Sequence, residues 1–438
     1  MEKGKVFKAQ GDLPEALDYY KSAFDVVAKL TKAHGDNHRL LRDVAVASDR
    51  VGDALREQGR LSEALDYYRT GLELREQLVK AKPNNIDWSR GLAISYDRAG
   101  EVLEARGLLD RALQAYRQSL DIMLRLAEDK PDDAKQQDGV AIVYDQVGDV
   151  LRDQGKFALA QEAYEKSFGI RERLATADPT NASHQYSLSI SYERLGDVLR
   201  ATWKLGEALK VYGDSLAIRE KLCKSDPRNA ACQRDLAISR MKLAEALRFK
   251  GDYAGALLQY REALKVIERL AKDDQSNTTW QRDLASVQRK IGLTLQKQDD
   301  LSQALQAYRR SLEIMETLTQ AYPKNPTWYQ DLTFSLDSIG DILFVQGKHA
   351  EAWRCIKEAW RSERSWRRTL RTIQGASGMS RYLKSRSETP SRPSATARAL
   401  LRPSKRPSPF ESGWSRPTRR AWSGSATCIS PRTEYRAS

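Results

Sequence analysis

The side chains with the most chemical capacity in this 438-residue chain are acids and arginines set three positions apart: Asp53 with Arg56, Asp149 with Arg152, Asp197 with Arg200, and Glu245 with Arg248. On a helix that spacing puts both groups on one face, where each pair makes a weak surface ion pair of about 0.2–0.5 kcal/mol. Other chemistry finds less material. The four cysteines (Cys223, Cys232, Cys355, Cys428) and four histidines (His34, His38, His184, His349) are scattered without CxxC, HExxH or similar ligand spacing. Neither a disulfide framework nor a zinc site is expected, and the thiols read as buried or incidental. There is no P-loop, no G-x-S-x-G, no GxGxxG after a strand and no His/Cys/Asp grouping with catalytic spacing. No catalytic residue, metal or cofactor is assigned, and an enzyme is the weakest of the function classes.

Composition points the same way. Hydrophobic residues make up 40% and charged residues 30%, which suits a chain that forms a core rather than a disordered or membrane one. No run of eighteen apolar residues occurs and the segment Met1 to Gln10 lacks a signal-peptide apolar stretch, so a cytoplasmic protein without a membrane span is expected. The net charge of +14 suggests nucleic acid until it is divided along the chain. Residues 361–438 hold 18 Lys and Arg against 4 Glu and no Asp, which leaves residues 1–360 with as many acidic as basic side chains.

The elements that must position these groups follow from a repeat. Glycine recurs every 48 residues at Gly11, Gly59, Gly107, Gly155, Gly251 and Gly347, with Trp203 and Asp299 on the two missing steps. Five residues later stands alanine in every unit, from Ala16 to Ala352, and four later tyrosine, from Tyr20 to Tyr308, ending with Ile356. A further row of small residues (Gly4, Gly52, Gly100, Gly148, Gly196, Ala244, Gly292, Gly340) lies upstream of the turn. Mid-helix glycine costs about 1 kcal/mol against alanine, so its recurrence predicts close helix–helix packing. Apolar residues at helical intervals on both sides of the turn (Leu92, Tyr96, Ala99, Val102 and Leu103; then Leu113, Tyr116, Leu120 and Leu126) make each unit a helical hairpin. An Asx residue (Asn37, Asn85, Asp133, Asn181, Asn229, Asn277, Asn325) follows the proline that closes most units and predicts an N-cap for the next helix, Pro326 being a first-turn proline. If the turn keeps glycine's positive φ, Trp203 and Asp299 each cost on the order of 1 kcal/mol and mark the weakest joints.

The run Gly148, Leu151, Gly155, Ala160, Tyr164, Ser167 and Phe168 resembles the tetratricopeptide repeat, and eight copies in phase carry the resemblance over residues 1 to about 360. It departs from the usual 34-residue unit by its longer helices. The fold it implies is all-α: a tetratricopeptide-like solenoid of helical hairpins wound in a right-handed superhelix, about eight repeats with turns near 11, 59, 107, 155, 203, 251, 299 and 347, followed by a non-repeat tail. The opening Trp280, Arg282, Asp283 and Leu284 looks like repeat arrays of bacterial proteins, often behind a signalling, protease-like or nucleotide-binding domain.

In that family the first helix of each hairpin lines a concave face where partner segments dock. Carried over by position, the lining is Asp49, Arg50, Asp53 and Arg56; Asp97, Arg98 and Glu101; Asp145, Gln146, Asp149 and Arg152; Glu193, Arg194, Asp197 and Arg200; Lys242, Glu245 and Arg248; and Arg289 and Lys290. Such a groove of mixed sign suits a charged peptide, with arginine forks taking carboxylates, and competes with plain pairing along each helix. Met241 and Arg289 replace the Asp row of earlier repeats, so an acidic peptide end favours residues 240–300. His184 and Cys232 occupy the row that Trp88, Trp280 and Trp328 fill elsewhere and read as packing. The resemblance therefore implies a scaffold for a protein or peptide partner, with neither nucleic acid nor a membrane expected. The alternative is a detached sensor or regulatory arm of a larger bacterial signalling NTPase or protease-like protein.

Both ends bear on that alternative. Gly4 and Phe7 match Gly52 and Leu55, so Met1 falls inside a first helix and the array is expected to extend upstream. From Arg361 the period vanishes into an Arg, Ser and Pro-rich segment, by composition a disordered basic tail. Codon degeneracy gives another reading. If each codon takes the last base of one residue and the first two of the next, Trp360 to Gln374 can be read L-A-I-R-E-K-L-A-E-D-P-A-N-N-P, the missing end of the eighth repeat. The same frame keeps matching the ladder to 424–428 (W-Q-R-D-L). Residues from about 361 are thus expected to be out-of-frame translation of further repeats, and their basic charge is no sign of nucleic-acid binding.

Overall fold

The turn glycines show why the chain doubles back. Gly59, Gly107, Gly155, Gly251 and Gly347 take φ between +70° and +91°, and Trp203 and Asp299 take +61° and +63°. The left-handed turn is therefore kept even where a side chain opposes it, as expected. The computed structural model describes residues 2–9, 12–34, 37–323 and 325–377, but not the side chains of 9, 34, 326, 327 and 365–377.

Sixteen helices and no strand are found among the described residues: α1 (Glu2–Ala9), α2 (Leu13–His34), α3 (His38–Glu57), α4 (Leu61–Ala81), α5 (Ile86–Ala105), α6 (Leu109–Asp129), α7 (Ala134–Asp153), α8 (Phe157–Ala177), α9 (Ala182–Ala201), α10 (Leu205–Ser225), α11 (Ala230–Lys250), α12 (Tyr253–Asp273), α13 (Thr278–Lys297), α14 (Leu301–Ala321), α15 (Pro326–Val345) and α16 (His349–Ser377). From α3 onward each odd-numbered helix begins 48 residues after the last. Every helix packs on its chain neighbours, and α9 also touches α7 and α11, which is the nearest-neighbour order of a solenoid.

Two sequence rows meet to hold each hairpin. Tyr68, Tyr116, Tyr164, Tyr212, Tyr260 and Tyr308 of the second helices are all buried, and the rings at five of these positions fill the space that glycine leaves on the first helix. A Cβ built on Gly148 would lie 2.5 Å from Cε1 of Tyr164, closer than carbon atoms approach. Glycine's helix penalty is thus exchanged for a buried aromatic ring. Asn37, Asn85, Asp133, Asn181, Asn229 and Asn277 each accept a backbone N–H of the following first turn, which fixes where the first helices start.

Two expectations change. Cys223 of α10 and Cys232 of α11 form a disulfide with Cα atoms 5.6 Å apart, so they are not incidental thiols and Cys232 is not simple packing. The short connection that doubles the chain back sets the end of α10 beside the first turn of α11, and this proximity across a loop, rather than a ligand-type spacing, brings the sulfurs together. At the other end, α16 continues to Ser377, so the helix extends past residue 360, where the repeat pattern stops. No proline intervenes before Pro390. The rest of the expected tail, 378–438, lies outside the described residues. No helix among the described residues is long and apolar enough to cross a membrane.

Candidate functional site

The charged rows of the first helices form a ladder whose rungs cross from repeat to repeat. Asp49 of α3 is buried and takes Arg75 of α4 at 2.6 Å and Arg98 of α5 at 2.5 Å. Two periods on from that arrangement, Asp145 of α7 takes Arg171 of α8 at 2.6 Å and Arg194 of α9 at 3.3 Å. Glu193 of α9 takes Arg219 of α10 at 3.4 Å and Lys242 of α11 at 3.6 Å. Each buried acid is thus held by a cation from its own hairpin and another from the next, the condition under which a buried charge is tolerated.

A second rank of acids, one turn further along, binds tyrosine. The Tyr68 hydroxyl donates to Asp53 at 2.8 Å, Tyr164 to Asp149 at 2.8 Å and Tyr212 to Asp197 at 2.7 Å. The cation of the next repeat reaches these acids as well. Arg98 lies 3.6 Å from Asp53, Arg194 contacts Asp149, and Lys242 lies 2.6 Å from Asp197. Burial works against the Arg194 charge, but Asp145 and Asp149 outweigh it and hold its pKa above the usual arginine range.

Pairing along one helix is the lesser pattern, contrary to the spacing argument. Arg152 does meet Asp149 at 2.9 Å, and Arg248 lies 4.0 Å from Glu245. Arg56, however, reaches Glu101 of the next repeat, Arg50 rather than Arg56 approaches Asp53 at 3.8 Å, and Arg200 lies over the Phe249 ring. A side chain on the adjacent first helix stands nearer than one three residues along the same helix. Asp49, Asp145 and Glu193 are buried and paired, which removes them from any surface a partner reaches.

Arg75, Arg171 and Arg219 are the residues that sequence reasoning missed. A signal exists: where the ladder acid gives way to Met241, the second-helix position carries Ile267 in place of arginine. The Arg-Asp of the repeat opening was also legible only as a signature. It joins repeats, with Arg234 reaching Asp283 at 2.6 Å and Arg282 reaching Asp331 at 3.1 Å.

The ladder fails at Asp97 and again around α11–α13. Asp97 of α5 has Met123 where Arg75 and Arg171 would stand and Gln146 where Arg98 and Arg194 would stand. Its Oδ1, the Ser119 hydroxyl and Gln146 Oε1 are buried without hydrogen-bond partners among the described residues. Burial pushes the Asp97 carboxyl up to about 6, with Glu101 adding to the rise and Arg98 only partly opposing it. The second failure is basic. Around α11–α13, Arg248, Arg289 and Lys290 face one ladder acid, Glu245, at 3.2 Å from Lys290. Burial, helped by Arg289 and Arg248, holds the Lys290 ammonium below the ordinary lysine range despite that acid. Among the described residues no three His, Cys, Asp or Glu side chains converge as metal ligands.

The tetratricopeptide repeat family matches residues 1–77, 43–125, 141–173, 190–229 and 236–277, together more than half of the chain, and the chain belongs to that family. Its proteins are typically scaffolds for other proteins. No curated protein matches the sequence significantly. Similar solved structures include BtubC from P. vanneervenii (20% identity over 59% of this chain and 91% of that one, TM-score 0.47). Others are the apo form of RapI (12%, 74% and 99%, 0.49) and the C-terminal part of a TPR repeat-containing protein from Cytophaga hutchinsonii (15%, 76% and 98%, 0.40).

Proposed function

We propose that the protein is a scaffold that binds a protein or peptide partner along the face formed by its first helices. The observation that carries this reading is the series of charged first-helix rows that recurs from repeat to repeat. Their buried members are consumed in holding the repeats together, while half-buried members such as Arg50, Glu101 and Arg289 remain at the surface. A rigid ladder beneath a charged surface supplies a preorganised site, which lowers the ordering cost of binding a flexible segment.

Selection of peptides from a display library on the full chain, followed by fluorescence anisotropy, tests the reading. Arg50→Glu and Glu101→Lys, each on the first-helix face, are expected to weaken selected peptides several-fold, whereas Lys166→Glu on a second helix leaves affinity unchanged. The reverse ranking would place the partner on the other face and refute the proposal.

A further inference from the structure

One hairpin of the array has hydrogen-bond donors where its sisters have an acceptor. In α3–α4, α7–α8 and α9–α10, a carboxylate fifteen residues before the tyrosine accepts its hydroxyl and also meets a cation of the next repeat. In α11–α12 that unit is broken. Glu245 stands at the corresponding position but turns to Lys290, and the hydroxyl of Tyr260, a wholly buried residue, has no acceptor. The charged groups nearest it are the Glu245 carboxylate, which is turned to Lys290, and the Arg248 guanidinium, which can only donate. The Nε atoms of Arg248 and of Arg289, which is stacked at 4.7 Å over Phe334, are likewise buried without partners. Met241 and Arg289 occupy positions where Asp145 stands in α7, and Leu293 the position of Asp149, so three acids of the ladder are lost and one of them is replaced by a cation, while Arg248 and Lys290 correspond to Arg152 and Arg194.

Buried donors without acceptors are costly, on the order of 1–3 kcal/mol each. Resting on the scaffold reading above, we propose that Tyr260, Arg248, Arg289 and Lys290 form a binding site for a carboxylate, filled by an Asp or Glu side chain of the partner. The fold supplies the template: in the sister hairpins an aspartate accepts the tyrosine hydroxyl and meets a basic side chain, whereas here Glu245 is drawn to Lys290 and leaves the Tyr260 hydroxyl open. A planar acceptor with two oxygens matches donors of this kind. The partner's acid completes the ladder in trans.

The test uses the full chain and a fluorescein-labelled, C-terminally amidated hexaglutamate peptide, with hexaglutamine as control, read by anisotropy. Tyr260→Phe removes one buried hydroxyl and no charge, and is expected to weaken hexaglutamate at least threefold. Tyr164→Phe, whose hydroxyl already has Asp149, leaves it unchanged. Met241→Glu supplies the missing acid from within and is expected to weaken the peptide about tenfold, with Met241→Gln as its uncharged control. If Tyr260→Phe and Met241→Glu leave hexaglutamate affinity as it was, binding is general attraction to a basic chain and the site is refuted. Binding that requires a free C-terminus, or a phosphoserine in place of glutamate, refutes the side-chain assignment. If library peptides bind the first-helix face with no enrichment in Asp or Glu, the carboxylate site falls while the scaffold reading stands. If no peptide binds at all, both fall.

Discussion

Replacing Asp97 by asparagine isolates a ladder acid that faces neither an arginine from its own hairpin nor one from the next. Burial raises its pKa from 3.8 to about 6, so between those values the folded chain holds a proton that the unfolded chain has released. Stability therefore falls as pH rises from about 4 to about 6 and is level above that, the opposite of an aspartate in an ion pair. At about 1.4 kcal/mol for each tenfold change in proton affinity, the penalty at neutral pH is about 2–3 kcal/mol. Asp97→Asn should thus exceed the parent by about that amount at pH 7.5 and by almost nothing at pH 4. Met123→Arg, which supplies the cation that Arg75 gives Asp49 at 2.6 Å, should also stabilise at pH 7.5, with a benefit that disappears on acidification. The assay is urea unfolding followed by far-ultraviolet circular dichroism from pH 4 to 8, each variant read as its difference from the parent so that other titrating carboxylates cancel. A difference for Asp97→Asn that is flat with pH, or an asparagine variant less stable than the parent at pH 7.5, would refute the argument that this aspartate is buried at the expense of stability.

Four further outcomes are expected. Arg171→Met, which leaves the buried Asp145 without its 2.6 Å partner, should cost about 3–5 kcal/mol; adding Asp145→Met should restore most of it, as the chain's own Met241 and Ile267 pairing suggests, and chemical denaturation of the single and double variants checks both. Gly148→Ala drives a methyl group into the Tyr164 ring and should destabilise by about 1–3 kcal/mol despite alanine's better helix propensity, seen as a lower urea midpoint. Trp203→Gly relieves a φ of +61° and should stabilise by up to about 1 kcal/mol, with slower amide exchange at that turn; the gain is reduced by the lost contact with Phe249, whose ring centroid lies 5.8 Å from that of Trp203. Resequencing the gene from about codon 340 should reveal a missing base near codons 359–360, restoring the repeat ladder downstream; an unchanged frame in the source DNA refutes the out-of-frame reading of residues 361–438.

What could be read from the sequence were features that each repeat makes within itself. Tyrosine against glycine, the Asx caps and the left-handed turn at Trp203 and Asp299 all join residues of one unit or of its immediate connection, so a 48-residue period displays them as columns. The charged ladder does not work that way. Its partners lie 45, 49 or 26 residues apart, as in Asp149 with Arg194, Asp49 with Arg98 and Asp49 with Arg75. Those offsets depend on how neighbouring helices are staggered, which a column does not record. Pairs three apart along one helix are visible in the sequence, although most of them are secondary to contacts between repeats. Only once the offsets are known do the mismatches stand out: Asp97 with Met123 and Gln146, and Arg289 with no acid opposite it. A rule kept in several repeats costs stability where it is broken. At Asp97 the cost is an unpaired acid, and at Arg289 it is a set of donors that a partner's carboxylate can satisfy. The basic break is therefore where a ligand gains most by binding, because it recovers energy that the folded chain alone leaves unused.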